Sequence, residues 1–241
     1  SYDAGLDGEF SDFKIADLKL PSPVISTTKP WTATVGNPQK SNQIIHDGDV
    51  VECLDGTKLK FLGWKDREDK ADDHKEIYQP NENITFSEDM TLYGVWEKLS
   101  NDLTITKNVT GLMGHHSKDF NFTVQVKQYV TDADGNFTGW NDVTNSNSIT
   151  YEGTVTDGAF TLKHSESIKL KGLSGKYKII LKENLDDVEY KTTATGYSDE
   201  KTSDREYTYY AQIGNDGTVQ LSIDENGEYN LGNAIIVENN K

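Results

Sequence analysis

Apolar and polar residues alternate with a period of two through most of the second half of the chain. The clearest run, FNFTVQVKQYV at 120–130, has the pattern of a half-buried β-strand. No long amphipathic helix is predicted, and we interpret the charged stretch at 66–76 as a solvated loop. The same alternation predicts shorter strands at 103–109, 167–173, 176–183, 219–223 and 234–239. The chain is therefore predicted to be dominated by β-structure.

Turn signals of the Asp-Gly and Asn-Gly type separate these runs. They fall at 132–136, 156–159, 214–218 and 225–228, where such pairs favour hairpin connections. The segment EKLSND at 97–102 separates a strand ending in TLYGVW from a fresh Thr-rich strand. We therefore predict two β-rich domains, 1–98 and 99–241.

Composition and charge exclude several classes of function. The chain has 241 residues and a formal net charge of −16, which disfavours binding to a phosphate backbone or to an anionic membrane surface. No run approaches the roughly 20 apolar residues that a membrane-spanning helix needs. The single cysteine, Cys53, allows no intrachain disulfide, and we interpret it as a small buried hydrophobe.

Three polar residues stand where the alternation places core positions. Lys107, Glu183 and Asn239 each continue the apolar face of a predicted strand, on the first, a middle and the last strand of the second domain. A buried ammonium or carboxylate needs a compensating partner. The plain alternative is an ordinary Lys107–Glu183 salt bridge with Asn239 in a terminal turn.

The second domain resembles a known family through four segments. The series LTITKNVTG, KDFNFTVQV, FTLKHSESIKLKGLSGKYKIILKE and IIVENN is similar to the pilin isopeptide-linkage domains and CnaB-like modules of Gram-positive surface proteins. The resemblance spans 102–240 and implies an Ig-like, CnaB-type β-sandwich. It also implies a spontaneous amide between Lys107 and Asn239, assisted by Glu183.

The last strand departs from the family in one place. The family's closing motif usually has an aromatic residue two positions before the asparagine, where this chain has Val237. Asn240 and Asn233 therefore remain alternatives to Asn239 as the cross-linked residue.

The implied reaction is chemically reasonable. An apolar pocket lowers the pKa of an amine and raises that of a carboxylic acid, so both can be neutral together. The Lys107 amine would attack the Asn239 carboxamide carbon while Glu183 hydrogen-bonds the amide oxygen and relays protons to the departing ammonia. We expect Phe120 and Phe122 to line the pocket. Such a reaction occurs once, so it is maturation and not enzymatic turnover.

The first domain resembles a different family. The segments DGDVV (47–51), FLGW (61–64) and NENITFSEDMTLYGVW (81–96) are similar to the Listeria–Bacteroides repeat, the InlB B-repeat type of module. The resemblance covers 45–98 and implies a small β-grasp-like module.

Two further expectations concern the first domain. SDFKIADLKL at 11–20 is predicted as its opening strand, and PSPVISTTKPW at 21–31 as an irregular excursion. We interpret its large aromatic residues as core residues, namely Phe61, Trp64, Tyr78, Tyr93 and Trp96.

No metal or cofactor is predicted. Asp132, Asp134 and Asn136 resemble the start of a calcium loop, but Gly135 occupies the fourth position where that loop needs glycine at the sixth. An Asp-Gly hairpin turn is the better interpretation. The five histidines show no zinc-site spacing: His46, His74, His115, His116 and His164.

The predicted function is a stalk or backbone segment of an extracellular, cell-wall-anchored adhesin or pilus-like protein, whose partners are other domains of the same protein. No signal peptide or sorting motif is visible, so we expect a mature or excised segment. The alternative is an adhesin module that recognises a host protein or glycan through the first domain or its 66–76 loop. A carbohydrate-active enzyme would need two converging carboxylates, and no catalytic motif is present.

Overall fold

The computed structural model describes residues 1–66, 77–184 and 189–241, which form two compact units, Ser1–Leu99 and Ser100–Lys241. Within the described residues the regular structure is β-strand apart from a single 3-10 turn at Gly8–Phe10. The prediction of an all-β chain is confirmed. No helix in the described ranges is long and apolar enough to cross a membrane. Except for Asp66, the 66–76 loop lies outside the described residues.

The described residues of the first unit, 1–66 and 77–99, form nine strands in three small sheets. Its main sheet has the order β1-β9-β7-β6, a second has β2-β4-β5, and β3 pairs with β8. The strands are β1 (Tyr2–Asp3), β2 (Leu18–Lys19), β3 (Trp31–Thr34), β4 (Gln39–Lys40), β5 (Gln43–Ile44), β6 (Val50–Glu52), β7 (Lys58–Lys65), β8 (Asn83–Phe86) and β9 (Leu92–Lys98).

The predicted opening strand at 11–20 is wrong. Only Leu18–Lys19 is a strand there, and the main sheet begins instead with Tyr2–Asp3, which pairs in parallel with β9. The reason is local, because the 3-10 turn ends at Phe10 and the amide of Phe13 donates to its carbonyl. This turn lets Phe10 enter the core without a pleated strand. The predicted irregular stretch at 21–31 is confirmed, apart from one isolated bridge and the start of β3.

Aromatic residues fill the core of the first unit. Phe61, Trp64, Tyr78 and Trp96 are buried, which confirms their interpretation as core residues, and Tyr93 is half-buried. The two indole nitrogens donate to backbone carbonyls, Trp64 to Gly36 at 3.0 Å and Trp96 to Ala4 at 2.9 Å. Buried indoles need such partners, so these rings hold the irregular N-terminal segments onto the sheet.

The second unit is a sandwich of two sheets. One has the order β13-β15-β10-β21-β17-β18, and the other has β12-β11-β16-β19-β20 with β14 also paired to β11. The strands are β10 (Asn101–Thr110), β11 (Phe120–Thr131), β12 (Phe137–Asp142), β13 (Thr150–Glu152), β14 (Ala159–Leu162), β15 (Ser167–Leu173), β16 (Lys176–Asn184), β17 (Lys191–Ala194), β18 (Tyr197–Lys201), β19 (Glu206–Ile213), β20 (Val219–Ser222) and β21 (Ala234–Asn240).

The first and last strands of this unit lie side by side at the centre of one sheet. Strands β10 and β21 run parallel, with Lys107 opposite Val237 and Val109 opposite Asn239. Parallel neighbours cannot be joined by a tight turn, and here the whole unit intervenes between them. A bond between these two strands would therefore close a loop around nearly all of the unit.

The Asp-Gly signals form hairpin turns. Between β11 and β12, the Asp132 carboxylate accepts hydrogen bonds from the backbone amides of Asp134 and Asn136, and Gly135 has φ 86°. The turn connects two antiparallel neighbouring strands, so it is a hairpin, as predicted. The Asp132 carboxylate stabilises the turn by accepting hydrogen bonds from its backbone amides. Asp157 and Gly158 both have positive φ and connect a bridged pair of residues, as a two-residue primed turn requires.

Candidate cross-link site

The three residues singled out in the second unit meet between its two sheets. Lys107 on β10 and Asn239 on β21 project from one sheet, and Glu183 on β16 projects from the other. Their relative exposures are 0% for Lys107, 1% for Glu183 and 0% for Asn239. Their predicted orientation toward the core is therefore confirmed.

One carboxylate oxygen contacts both of the nitrogens. Lys107 Nζ lies 3.1 Å from Glu183 Oε1, and Asn239 Nδ2 donates a hydrogen bond to the same oxygen at 2.8 Å. Within the described residues, Nζ makes no contact with full hydrogen-bond geometry, so its contact with Glu183 is defined by distance alone. The amine and the amide are thus held on either side of one proton acceptor.

Thr192 holds the amide oxygen of Asn239. Its Oγ1 donates to Asn239 Oδ1 at 2.6 Å and lies 3.4 Å from Glu183 Oε2, and the residue is fully buried. The reaction chemistry led us to expect a bond from Glu183 to this oxygen, whereas in the structure Asn239 Nδ2 donates to Glu183. The difference arises because β17 pairs with β21 and sets Thr192 directly opposite Asn239.

Arg205, like Thr192, is a residue of this pocket that the sequence analysis did not predict. It is 2% exposed, its Nη1 lies 3.4 Å from Glu183 Oε2, and its Nη2 donates to the carbonyl of Tyr190 at 2.6 Å. The alternation did carry a signal, because Arg205 continues the buried face of Tyr207 and Tyr209. The guanidinium fixes the carboxylate oxygen that does not contact the lysine.

The surroundings favour the uncharged form of Lys107. Burial lowers its pKa to about 8, with a smaller lowering from the Arg205 cation, while Glu183 acts in the opposite direction. The ring centroids of Phe120 and Phe122 lie 4.6 and 5.8 Å from Nζ, so the expectation that they line the pocket is confirmed. An amine with a pKa near 8 has a substantial neutral fraction close to neutral pH.

The two alternative asparagines lie elsewhere. Asn240 is exposed on the opposite face of β21, and Asn233 is exposed before that strand begins. Only Asn239 among the three candidates enters the pocket that contains Lys107 and Glu183. The departure from the family's aromatic position at Val237 therefore does not shift the register of the buried face.

The remaining residues of interest lie away from this pocket or have structural partners. His116 stacks on His164 at 4.0 Å, and His164 Nδ1 accepts the amide of Val109 at 2.9 Å. Cys53 is buried in the first unit, as predicted, and burial raises its pKa to about 12. His74 lies outside the described residues.

Part of the chain is similar to a protein of streptococcal pili. A family described as a domain of unknown function, DUF7601, matches residues 101–217. The pilus tip adhesin Cpa of Streptococcus pyogenes is 34% identical over 128 residues, which are 52% of this chain and 16% of that protein. The second half of the chain is therefore similar to a Gram-positive pilus protein, and the chain spans about a sixth of the length of that relative.

Solved structures give a weaker likeness. A pilus-presented adhesin, Cpa, is 25% identical with a TM-score of 0.38, covering 63% of this chain and 29% of that chain. The major pilin from Streptococcus pyogenes is 16% identical with a TM-score of 0.37, covering 96% and 73% of the two chains. Both TM-scores lie below 0.5, so neither superposition establishes a common architecture for the whole chain.

Proposed function

We propose that the second unit cross-links itself through an amide between Lys107 Nζ and Asn239 Cγ, and that the chain is a structural segment of a pilus or adhesin on a bacterial cell surface. The observation that carries the proposal is the contact of one buried oxygen, Glu183 Oε1, with both nitrogens. Similarity to a pilus tip adhesin supports the cell-surface and cell-wall setting.

The reaction needs no external reagent. Glu183 takes a proton from the Lys107 ammonium, and the neutral amine attacks Asn239 Cγ to form the new C–N bond. Glu183 then protonates Nδ2, the Cγ–Nδ2 bond breaks, and ammonia leaves. Of the three ammonium protons, one stays on the new amide, one completes ammonia, and one departs with it as ammonium.

The charges in the pocket argue against an ordinary salt bridge. Among the described residues, Lys107 and Arg205 are both buried beside the one buried carboxylate, Glu183, so a protonated lysine places two cations beside that anion. Buried charges without full compensation are costly. Amide formation removes the lysine charge and leaves Arg205 and Glu183 as a balanced pair.

The position of the bond suits a segment that is under mechanical tension. It would join the first strand of the unit, β10, to the last, β21. A pulling force that enters along one strand would pass to the other through the covalent link, and the remaining strands would be shielded from extension. The partners of such a segment are other domains of the same surface protein.

We propose a spacer role for the first unit, as an InlB B-repeat-like, β-grasp-like module over 45–98.

Peptide mapping tests the cross-link at residue resolution. Protease digestion of the purified chain is expected to yield one branched peptide in which the β10 segment is joined to the β21 segment, with fragment ions that place the bond at Lys107 and Asn239. Recovery of both segments as separate, unmodified peptides would refute the proposal.

A second candidate function, a ligand-binding adhesin module, is favoured by an aromatic surface on the second unit. Tyr129, Phe137 and Trp140 form a three-ring cluster with centroids 4.8 to 5.7 Å apart. Tyr210 packs against Trp140 at 6.0 Å. Phe137 is 47% exposed, and the other three are partly exposed. Of the ten aromatic residues in the first unit, five are buried and five are partly exposed. None of them is as open as Phe137, so this surface is the better place for a ligand.

Exposed aromatic rings can stack against sugar rings. If this surface binds glycans, Trp140→Ala should abolish retention on a glycan array while Leu112→Ala, an exposed apolar control, should leave it unchanged. Equal signals from wild type and Trp140→Ala would exclude this surface as the binding site.

A further inference from the structure

We propose that Thr192 is a catalytic residue of the cross-linking reaction: its hydroxyl polarises the Asn239 carbonyl and holds the negative oxygen that forms when the lysine attacks. The inference rests on the proposed Lys107–Asn239 cross-link. In this mechanism Glu183 transfers protons between the two nitrogens, and Thr192 stabilises the charge that develops on the oxygen.

The geometry assigns the hydroxyl proton to the amide oxygen. A threonine hydroxyl has one hydrogen to donate, and of its two neighbouring acceptors Asn239 Oδ1 lies at 2.6 Å and Glu183 Oε2 at 3.4 Å. The shorter contact is at the close end of the range for hydroxyl donors. Thr192 is the direct cross-strand partner of Asn239, so the backbone fixes this contact.

The same contact strengthens as the reaction proceeds. When Lys107 Nζ bonds to Cγ, the π electrons of the carbonyl move onto Oδ1, which becomes an alkoxide. A donor already directed at that oxygen stabilises the developing charge without reorganisation, and its effect is larger in a pocket closed to water. The electrons return to form the new amide carbonyl when Cγ–Nδ2 breaks.

Glu183 is already engaged with the other atoms. Its Oε1 contacts Lys107 Nζ and Asn239 Nδ2, and its Oε2 lies near the Arg205 guanidinium. An ionised carboxylate has no hydrogen to donate, and no hydrogen bond joins Glu183 to Oδ1 in the described part of the chain. Among the described residues, the Thr192 hydroxyl is therefore the donor best placed to serve the reacting oxygen.

Refolding kinetics test the assignment. Unfolded, unlinked chains are obtained from inclusion bodies and diluted into refolding buffer. Samples are quenched with acid at intervals, and intact-mass spectrometry measures the fraction that has lost one ammonia. Thr192→Val should slow ammonia loss by about 10²–10³-fold, the usual effect of removing one oxyanion donor. Thr192→Ser, which keeps the hydroxyl, should react at close to the wild-type rate.

Variants that cannot cross-link show whether Thr192 has only a structural role. Thermal unfolding of Lys107→Ala is compared with that of Lys107→Ala carrying Thr192→Val, and similar midpoints are expected. Thr192→Ala supplies a second hydroxyl-free variant if valine does not fit beside the amide.

Each outcome bears on a distinct claim. Wild-type rates in Thr192→Val and Thr192→Ala would overturn the role of Thr192 and leave the cross-link standing. Equal slowing in Thr192→Ser and Thr192→Val would also overturn it, because the hydroxyl would then not be the active feature. A wild-type chain that never loses ammonia would refute the cross-link itself, and the inference with it.

Discussion

Lys107 Nζ and Glu183 Oε1 lie 3.1 Å apart in a pocket that excludes solvent from both side chains. The two groups come from facing sheets, so their meeting depends on the assembled sandwich. A proton can pass between them only after the unit has folded. This relationship links folding to chemistry, because the nucleophile, the proton carrier and the amide are assembled by the same packing event.

The rate of cross-linking should depend on pH through Lys107. The attacking form is the neutral amine, and its pKa is lowered to about 8, mainly by burial. Because Glu183 takes the proton that Lys107 gives up and returns it to Nδ2, the reacting pair must keep that proton. Ammonia loss during refolding should therefore be level below about pH 8 and slow about tenfold per pH unit above it, where the proton is lost to solvent. Intact-mass time courses between about pH 6 and 9.5 measure this profile, which spans both sides of the lysine's titration. A rate that rises about tenfold per pH unit up to and beyond pH 8 would contradict a proton passed from Lys107 to Nδ2 through Glu183.

Replacing Arg205 should shift that profile. The guanidinium lowers the pKa of Lys107, so Arg205→Met should move the midpoint of the pH–rate curve upward. It should also slow the reaction, because the guanidinium positions Glu183 Oε2. A slower reaction with an unchanged midpoint would mean that Arg205 acts through packing alone. Lys182→Ala, an exposed change beside Glu183, serves as the control.

Loss of the cross-link should lower stability substantially. The bond would enclose residues 107–239, and closing a loop near a hundred residues contributes about 4–5 kcal/mol in the chain-entropy treatment of disulfides. Asn239→Ala should therefore reduce the thermal midpoint of the second unit by roughly 10–20 °C.

Asn240→Ala is the matched control, because its side chain is adjacent in sequence but exposed on the other face. Differential scanning calorimetry of the two variants provides the comparison. Lys107→Ala, which is also unlinked, should lose a similar amount. Midpoints within a few degrees for Asn239→Ala and Asn240→Ala would argue against a covalent contribution.

Much of the second unit can be predicted from the sequence because its strands are long. Runs such as Phe120–Thr131 and Lys176–Asn184 give enough alternating positions to assign a face to each side chain. The same reasoning assigns Lys107, Glu183 and Asn239 to the core from the sequence alone. Alternation describes one strand at a time, and these three strands carry clear patterns.

The missed residues show the limit of that reasoning. Thr192 lies in a four-residue strand, Lys191–Ala194, where alternation is short, and its role depends on pairing with a strand about 40 residues later. Arg205 comes just before β19 begins. In the first unit, two-residue strands such as Leu18–Lys19 leave no periodic signal, which is why the prediction for 11–20 is wrong. Strand pairing between distant segments cannot be inferred from local periodicity.

The intact mass of the purified chain tests the central claim most directly. It is measured beside Lys107→Ala and the surface-lysine control Lys171→Ala. We predict that wild type and Lys171→Ala are each lighter than calculated by one ammonia, and that Lys107→Ala has its calculated mass. A wild-type mass equal to the calculated value would contradict the Lys107–Asn239 cross-link.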